Sequence, residues 1–324
     1  MTLTGYDDLV DSCAWLALDR DVVVVSGPDA IGYLQGQVSQ DVEALAVGAS
    51  AWSLVLQPQG RIDAWARISR VADDAAVLDV EAGFGPALVA RLTRFKLRVK
   101  ADIEPLAWRC MAVRGPAAGA GATGGRPGPP SAAQPTPAHA PPPVLWRPAA
   151  VPSAPPPTRD GIVAVAEWPL VGGWDRLGPD PAPPADVAAA DADAFEVRRI
   201  EAGLPRMGAE LTERTIPAEA GIVEASVSFT KGCYTGQELV ARIDSRGGHV
   251  PRRLRGVRLG ADAPVPAPGD EVEVGGKPVG AITSAARHPA GHVVALAYVA
   301  RAVDPPAEGT CAGAPALIGA VPPG

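Results

Sequence analysis

The sequence is poor in the residues that build metal centres and disulfide frameworks. Its 324 residues hold four cysteines, Cys13, Cys110, Cys233 and Cys311, and none lies within five residues of another. That spacing excludes a CxxC pair and a zinc-type ligand set, and four scattered thiols do not frame a chain of this size. Of the histidines, His139, His288 and His292 make no metal constellation and are given no role. The chain does not open on a basic region followed by an apolar run, and no stretch approaches about twenty continuous apolar residues. The expectation is an unanchored protein with no membrane partner, and isolated thiols fit a reducing cytoplasm. A basic excess is lacking as well: 29 Lys and Arg stand against 36 Asp and Glu, for a net charge of -7. That balance favours solubility and speaks against a general nucleic-acid binder. What remains is the composition of a soluble globular protein, 47% hydrophobic and 20% charged, long enough for one large domain or two to three ordinary ones.

Proline is unevenly spread. Residues 116–157 hold 14 of the 36 prolines, with alanine and glycine filling much of the rest. Such a stretch buries too little apolar surface to offset its ordering entropy, so 116–159 reads as a disordered, Pro/Ala/Gly-rich insert. A smaller break runs from Gly178 to Asp186, and 305–324 reads as a flexible tail.

The ordered parts mix α and β. Asp21 to Val25 is a β-branched run and reads as a buried strand, followed by a helix over Ala30–Gln37 that starts near Pro28 and Asp29. Ala51–Gln57 and Arg61–Val71 are strand-like around the turn Pro58-Gln59-Gly60, with Ile62, Ala64, Ala66 and Ile68 marking one buried face. Ala87–Leu97 is an amphipathic helix with Leu88, Leu92 and Phe95 on one side. Beyond the insert, Gly161–Glu167 reads as a strand and Asp186–Ala202 as a helix stopped by Gly203. Short strands over 253–259, 271–274, 277–286 and 292–301, two of them flanking Gly275-Gly276, form a small barrel or sandwich.

One segment carries chemistry. Lys231-Gly232-Cys233-Tyr234-Thr235-Gly236-Gln237-Glu238 leads into a helix over Gly236–Arg246, with Thr235 as N-cap and Glu238 at capping-box distance. Cys233 then sits before a helix N-terminus with Lys231 beside it, and both features favour a thiolate. The plainer reading is a small buried hydrophobe. Arg242, Arg246, His249, Arg252, Arg253, Arg255 and Arg258 form a basic stretch, either a solvated face or a seat for a polyglutamate tail or an RNA backbone.

The string KGCYTGQELVAR, Lys231 to Arg242, resembles the signature of the YgfZ family, relatives of the glycine-cleavage aminomethyltransferase. VVSGPDAIGYLQGQVSQDV (24–42), LQPQGRI (56–62), RIEAGLPRMGAEL (199–211) and IPAEAG (216–221) resemble further segments of that family. The resemblance implies an α+β ring of related subdomains with a C-terminal β-barrel and a central folate site. On that basis residues 1–115 form a folate-binding subdomain, 160–250 a second subdomain bearing the signature, and 251–304 the barrel, with the insert as an excursion between subdomains. It further implies tetrahydrofolate as cofactor, with Glu201 in Arg199-Ile200-Glu201-Ala202-Gly203 meeting the pterin. A carboxylate suits that task because it accepts two parallel N–H bonds, although without the resemblance Glu201 reads rather as a solvated helix end. Asp63 stands where the relatives carry an Asp pair, and only one carboxylate is present. Tyr234, Gln237 and Arg242 complete the folate-side candidates, and Cys233 with Lys231 the chemical ones. The implied function is an accessory factor for iron–sulfur cluster assembly or repair through one reactive Cys, with folate and iron–sulfur client or assembly proteins as partners. The alternatives are a folate-dependent aminomethyl or methyl transferase and a tRNA-modification factor with tRNA as partner. The incomplete Asp motif argues against an ordinary transferase, and a lone thiol against a resident cluster.

Overall fold

The structure, a computed structural model, describes residues 3–118 and 161–322. The Pro-rich insert expected over 116–159 lies almost wholly outside the described residues. The architecture is α+β: two five-stranded sheets followed by a closed six-stranded barrel. The first sheet runs Ser50–Leu56, Ile62–Ala72, Ala75–Glu81, Arg20–Ser26, Asp102–Leu106, antiparallel throughout. The second orders Ala188–Ala189, Ala14–Leu18, Arg109–Arg114, Gly173–Gly178 and Ile162–Ala166. Strands from both sides of the Pro-rich segment thus share one sheet, which the division of the chain at 115 and 160 does not convey.

The helices over Ala30–Gln37 and Gly85–Phe95 fall where patterning puts them. Phe95 is an exception on its helix: Leu88 and Leu92 are buried, whereas Phe95 is 40% exposed beneath the Arg91 guanidinium. The strand Ile62–Ala72 departs from expectation, because Trp65, Arg67 and Ser69 on its second face are as buried as Ile62, Ala64, Ala66 and Ile68. Period-2 alternation marks a half-buried strand only where one face meets water, and here both faces are covered. The helix expected over Asp186–Ala202 begins at Ala192, where the Asp191 side chain accepts from the Ala194 N–H at 2.6 Å. The residues just before it, Ala188 and Ala189, pair with Ala14 and Trp15 instead.

The barrel order is Arg252–Leu259, Val293–Ala300, Lys277–Arg287, Glu271–Val274, Ala307–Cys311, Ala314–Gly319, closing back on the first. Gly275 and Gly276, at φ 59° and 73°, make the two-residue turn. The expectation of a flexible tail after Asp304 is overturned. Its two strands supply the closing ladder, and Cys311, Ala316 and Ile318 enter the barrel core. Without them the strands 252–259 and 271–274 would each leave an open edge.

The two sheets meet through buried charge. Arg67 is bonded to Asp79 of its own sheet at 3.0 Å and to Asp175 of the other at 2.6 Å. Arg20 also reaches Asp79 at 2.7 Å, and Arg114 reaches Asp175 at 2.7 Å. Burial alone would raise the Asp175 pKa, but Arg114 and Arg67 bring it down to about 2. Removing one partner leaves an uncompensated charge, so Asp175→Ala should lower unfolding free energy by ~3 kcal/mol in denaturant titration. Because the folded pKa lies below the ordinary 3.8, the Asp175 contribution is present above that value and lost as pH falls toward 2. The wild-type and Asp175→Ala stability curves should therefore converge in acid.

Candidate functional site

The signature segment enters its helix differently from the capping-box expectation. The helix spans Gln237–Ser245, its N-cap is Gly236 at φ 84°, and no side chain caps it. Thr235 lies one residue too early. Gln237 instead closes the turn from inside: its Oε1 accepts from the Tyr234 N–H at 3.2 Å, while its own N–H donates to the Tyr234 carbonyl at 3.4 Å.

Glycine is required where this helix meets the hairpin turn of the first sheet. A Cβ on Gly236 would lie 2.5 Å from the Gln57 carbonyl oxygen and 2.7 Å from Leu56 Cβ. A Cβ on Gly60, at φ 75°, would lie 2.6 Å from Leu239 Cβ and 3.2 Å from the Gly236 oxygen. The two motifs LQPQGRI and KGCYTGQE therefore interlock backbone to backbone, at a separation that only absent side chains permit.

Lys231 fastens the other end of the loop. Its ammonium donates to the carbonyls of Val38 at 2.7 Å and Gln40 at 3.1 Å, and to that of Gln35. These carbonyls lie at and just past the end of the Ala30–Gln37 helix, where acceptors are left without intrahelical donors. Burial pushes the Lys231 pKa down to about 8, against the opposing pull of Asp41 and Glu43. Its three protons are directed to main-chain oxygens, so Lys231 acts as an anchor. Tyr234 packs into the main core, and burial raises its hydroxyl pKa to about 12. Between these anchors Cys233 is exposed, and Phe229, four residues earlier, is 52% exposed. Cys13 is half-buried, and Cys110 and Cys311 are buried. Burial pushes the thiols of all three up, aided at Cys13 by Asp8, at Cys110 by Asp175 and at Cys311 by Asp270.

The remaining candidates separate. Asp63 is held by Arg91 at 3.2 Å, and Arg91 also bonds the Gln37 side chain and the Leu56 carbonyl. Arg242 is exposed on the signature helix, and its side chain makes no ion pair among the described residues. Glu201 ends the helix Ala192–Glu201 and meets neither Asp63 nor the signature. Its carboxylate accepts from Arg198 Nη1 at 2.6 Å and from the Tyr6 hydroxyl at 3.1–3.2 Å, and lies 3.2 Å from His288 Nε2. Tyr6 and His288 carry no motif that sequence reasoning could have used; only the tertiary fold brings the N-terminal helix and the barrel to Glu201.

An aromatic chain runs between the two places. Trp168 Nε1 donates to the Ala202 carbonyl beside Glu201, and the Trp168 ring meets Trp65 edge-on. Trp65 stacks on Trp52 and donates from Nε1 to Ser226 Oγ at 2.8 Å, just ahead of the signature loop. For the loop itself, Gly236→Ala should destabilise the protein by ~1–3 kcal/mol, since it adds a Cβ at a left-handed position against backbone. Denaturant titration and limited proteolysis within 228–236 would check this.

No family model matches the chain. The chain is 35% identical to a tRNA-modifying protein YgfZ of Aliivibrio fischeri over 119 residues, 35% of this chain and 37% of that one. It is 28% identical over 246 residues to a mitochondrial iron-sulfur cluster assembly factor IBA57 homolog of Mycosarcoma maydis, 70% of this chain and 53% of that one. The chain spans 37% of the length of the Aliivibrio relative and 53% of that of the Mycosarcoma relative, less than two thirds of either. In fold, the chain resembles the glycine cleavage system aminomethyltransferase T from Bartonella henselae, with a TM-score of 0.74 at 21% identity, covering 96% of this chain and 86% of that one. The named relatives and the fold support the resemblance of this chain to the YgfZ/GcvT family.

Proposed function

We propose that this chain is a folate-binding accessory protein that supports iron–sulfur cluster assembly or repair in client enzymes, working through Cys233 in a reducing cytoplasm. The observation that carries this reading is the presentation of one thiol. Among four free cysteines Cys233 alone is exposed, on a loop pinned by Lys231 and by the Gly60–Gly236 contact. A thiol so displayed meets a macromolecular partner more readily than a thiol at the bottom of a pocket. A single thiolate offers one ligand, whereas a [4Fe–4S] cluster normally takes four. Cys233 therefore suits transient ligation of a cluster as cargo, or thiol exchange with a client.

The residues present also suit a reduced folate. Glu201 is a carboxylate paired with Arg198, ringed by Tyr6 and His288, and 20% exposed. An ionised carboxylate accepts the paired N–H donors of a pterin edge. Bound tetrahydrofolate would supply one-carbon or reducing chemistry. Asp63 is less suited to assist it, because Arg91 occupies its carboxylate, and this weakens the aminomethyl-transfer reading. A tRNA-modification role is the second reading. It is favoured by the name of the Aliivibrio relative and by the exposure of Arg242 and Arg246 beside the signature.

Two experiments test the proposal. In a strain lacking the native gene, Cys233→Ser should fail to restore cluster-dependent enzyme activity that the wild type restores; full rescue would remove the thiol from the function. In calorimetry, the wild type should bind tetrahydrofolate, and Glu201→Ala should weaken that binding at least about tenfold, the scale of a lost charged hydrogen bond. Absence of binding to the wild type would end the folate reading.

A further inference from the structure

Three elements distant in sequence converge on the Glu201 carboxylate: the helix Tyr6–Asp11, the helix Ala192–Glu201 and the barrel turn after Arg287. Tyr6 Oη lies 2.7 Å from His288 Nε2 and 3.1–3.2 Å from both Glu201 oxygens. The other imidazole nitrogen settles the direction of these bonds. The Ala290 N–H donates to His288 Nδ1 at 3.0 Å, so Nδ1 is an acceptor and the proton of the neutral ring sits on Nε2. His288 then donates to the Tyr6 oxygen, and the Tyr6 hydroxyl proton is left to face Glu201. The rings support this arrangement: Tyr6 and His288 meet edge-on at 5.0 Å, and His292 stacks on His288 at 4.2 Å.

Counting acceptors shows what the relay achieves. A carboxylate offers about four lone-pair positions. Arg198 and Tyr6 fill two of them, and at 3.2 Å His288 is farther from Glu201 than from Tyr6. Two positions remain, the number that a pterin's amino group and ring N–H require. Without the Tyr6 hydroxyl to receive it, the His288 N–H would turn onto Glu201 and fill one of them.

We infer that Tyr6 and His288 are positioning residues for a pterin ligand, fixing the Glu201 carboxylate so that two adjacent acceptor sites stay open. The inference rests on the proposal that Glu201 meets the pterin. It adds two residues that contact the ligand only through Glu201, drawn from the N-terminal helix and the barrel.

Calorimetry with 5-formyltetrahydrofolate on the full chain tests it, with thermal unfolding of every variant as a check on the fold. Tyr6→Phe should weaken binding about tenfold, the scale of one hydrogen bond to a charged group, and His288→Ala about fivefold, the scale of one between neutral groups. His288→Gln, whose amide can donate from near the Nε2 position, should recover wild-type affinity within about twofold. In a Glu201→Gln background neither Tyr6→Phe nor His288→Ala should weaken binding further, because both act through the carboxylate. Wild-type affinity in Tyr6→Phe and His288→Ala, or undiminished losses in the Glu201→Gln background, would overturn the assignment while leaving the folate reading intact. A wild type that does not bind would overturn both.

Discussion

Arg67 is the residue on which the body of this protein depends. Its guanidinium lies between two sheets, 1% exposed, and bridges Asp79 in one to Asp175 in the other. Burying such charges costs several kcal/mol per ion unless each finds a well-placed partner. Here Arg20 and Arg114 complete the set, so two carboxylates meet three guanidiniums. The contribution is specificity of assembly more than raw stability. Apolar faces tolerate sliding, whereas a bidentate guanidinium fixes register and distance between the sheets. The strands it joins come from both sides of the Pro-rich segment, so the network also ties the two halves of the chain together.

On that frame the signature loop is held by contacts of a different kind. Gly60 against Gly236 sets a backbone-to-backbone distance that no larger residue allows, and Lys231 satisfies carbonyls where the Ala30–Gln37 helix gives out. A polar anchor, an aromatic anchor in Tyr234 and a steric fit leave the short span holding Cys233 displayed to solvent. The residue types of this loop answer to holding requirements as much as to chemistry, since Lys231 and Tyr234 face inward and Gln237 bonds within the turn.

Glu201 belongs to a second centre, reached from the loop through Ala202, Trp168, Trp65 and Ser226. The barrel takes part directly. It supplies His288 to Glu201, and it supplies Thr283 and Ser284 to the buried Glu210, which Arg199 also bonds. Closing the barrel with the strands 307–311 and 314–319 therefore bears on the Glu201 centre as well as on the C-terminal core.

The sequence by itself determined the local elements whose signals are local: the β-branched strand at 21–25, the helix at 30–37, the Gly275-Gly276 hairpin and most barrel strands. The Cys233 signature and the Arg199–Gly203 motif were also legible in it, because both are contiguous. It misjudged the residues after Asp304, where short alternating strands interrupted by Pro and Gly carry little periodicity and gain their structure only from partners across the barrel. It read one face of 62–72 as buried where both are, because the covering sheet is built from strands far away in the chain. Lys231 looked like a charge placed to activate a thiol, and tertiary structure turned it inward onto three carbonyls. Tyr6 and His288 were invisible as partners of Glu201 for the same reason: nothing within a few positions of either marks it, and the 282-residue separation between them is closed only when barrel and N-terminal helix pack around one carboxylate.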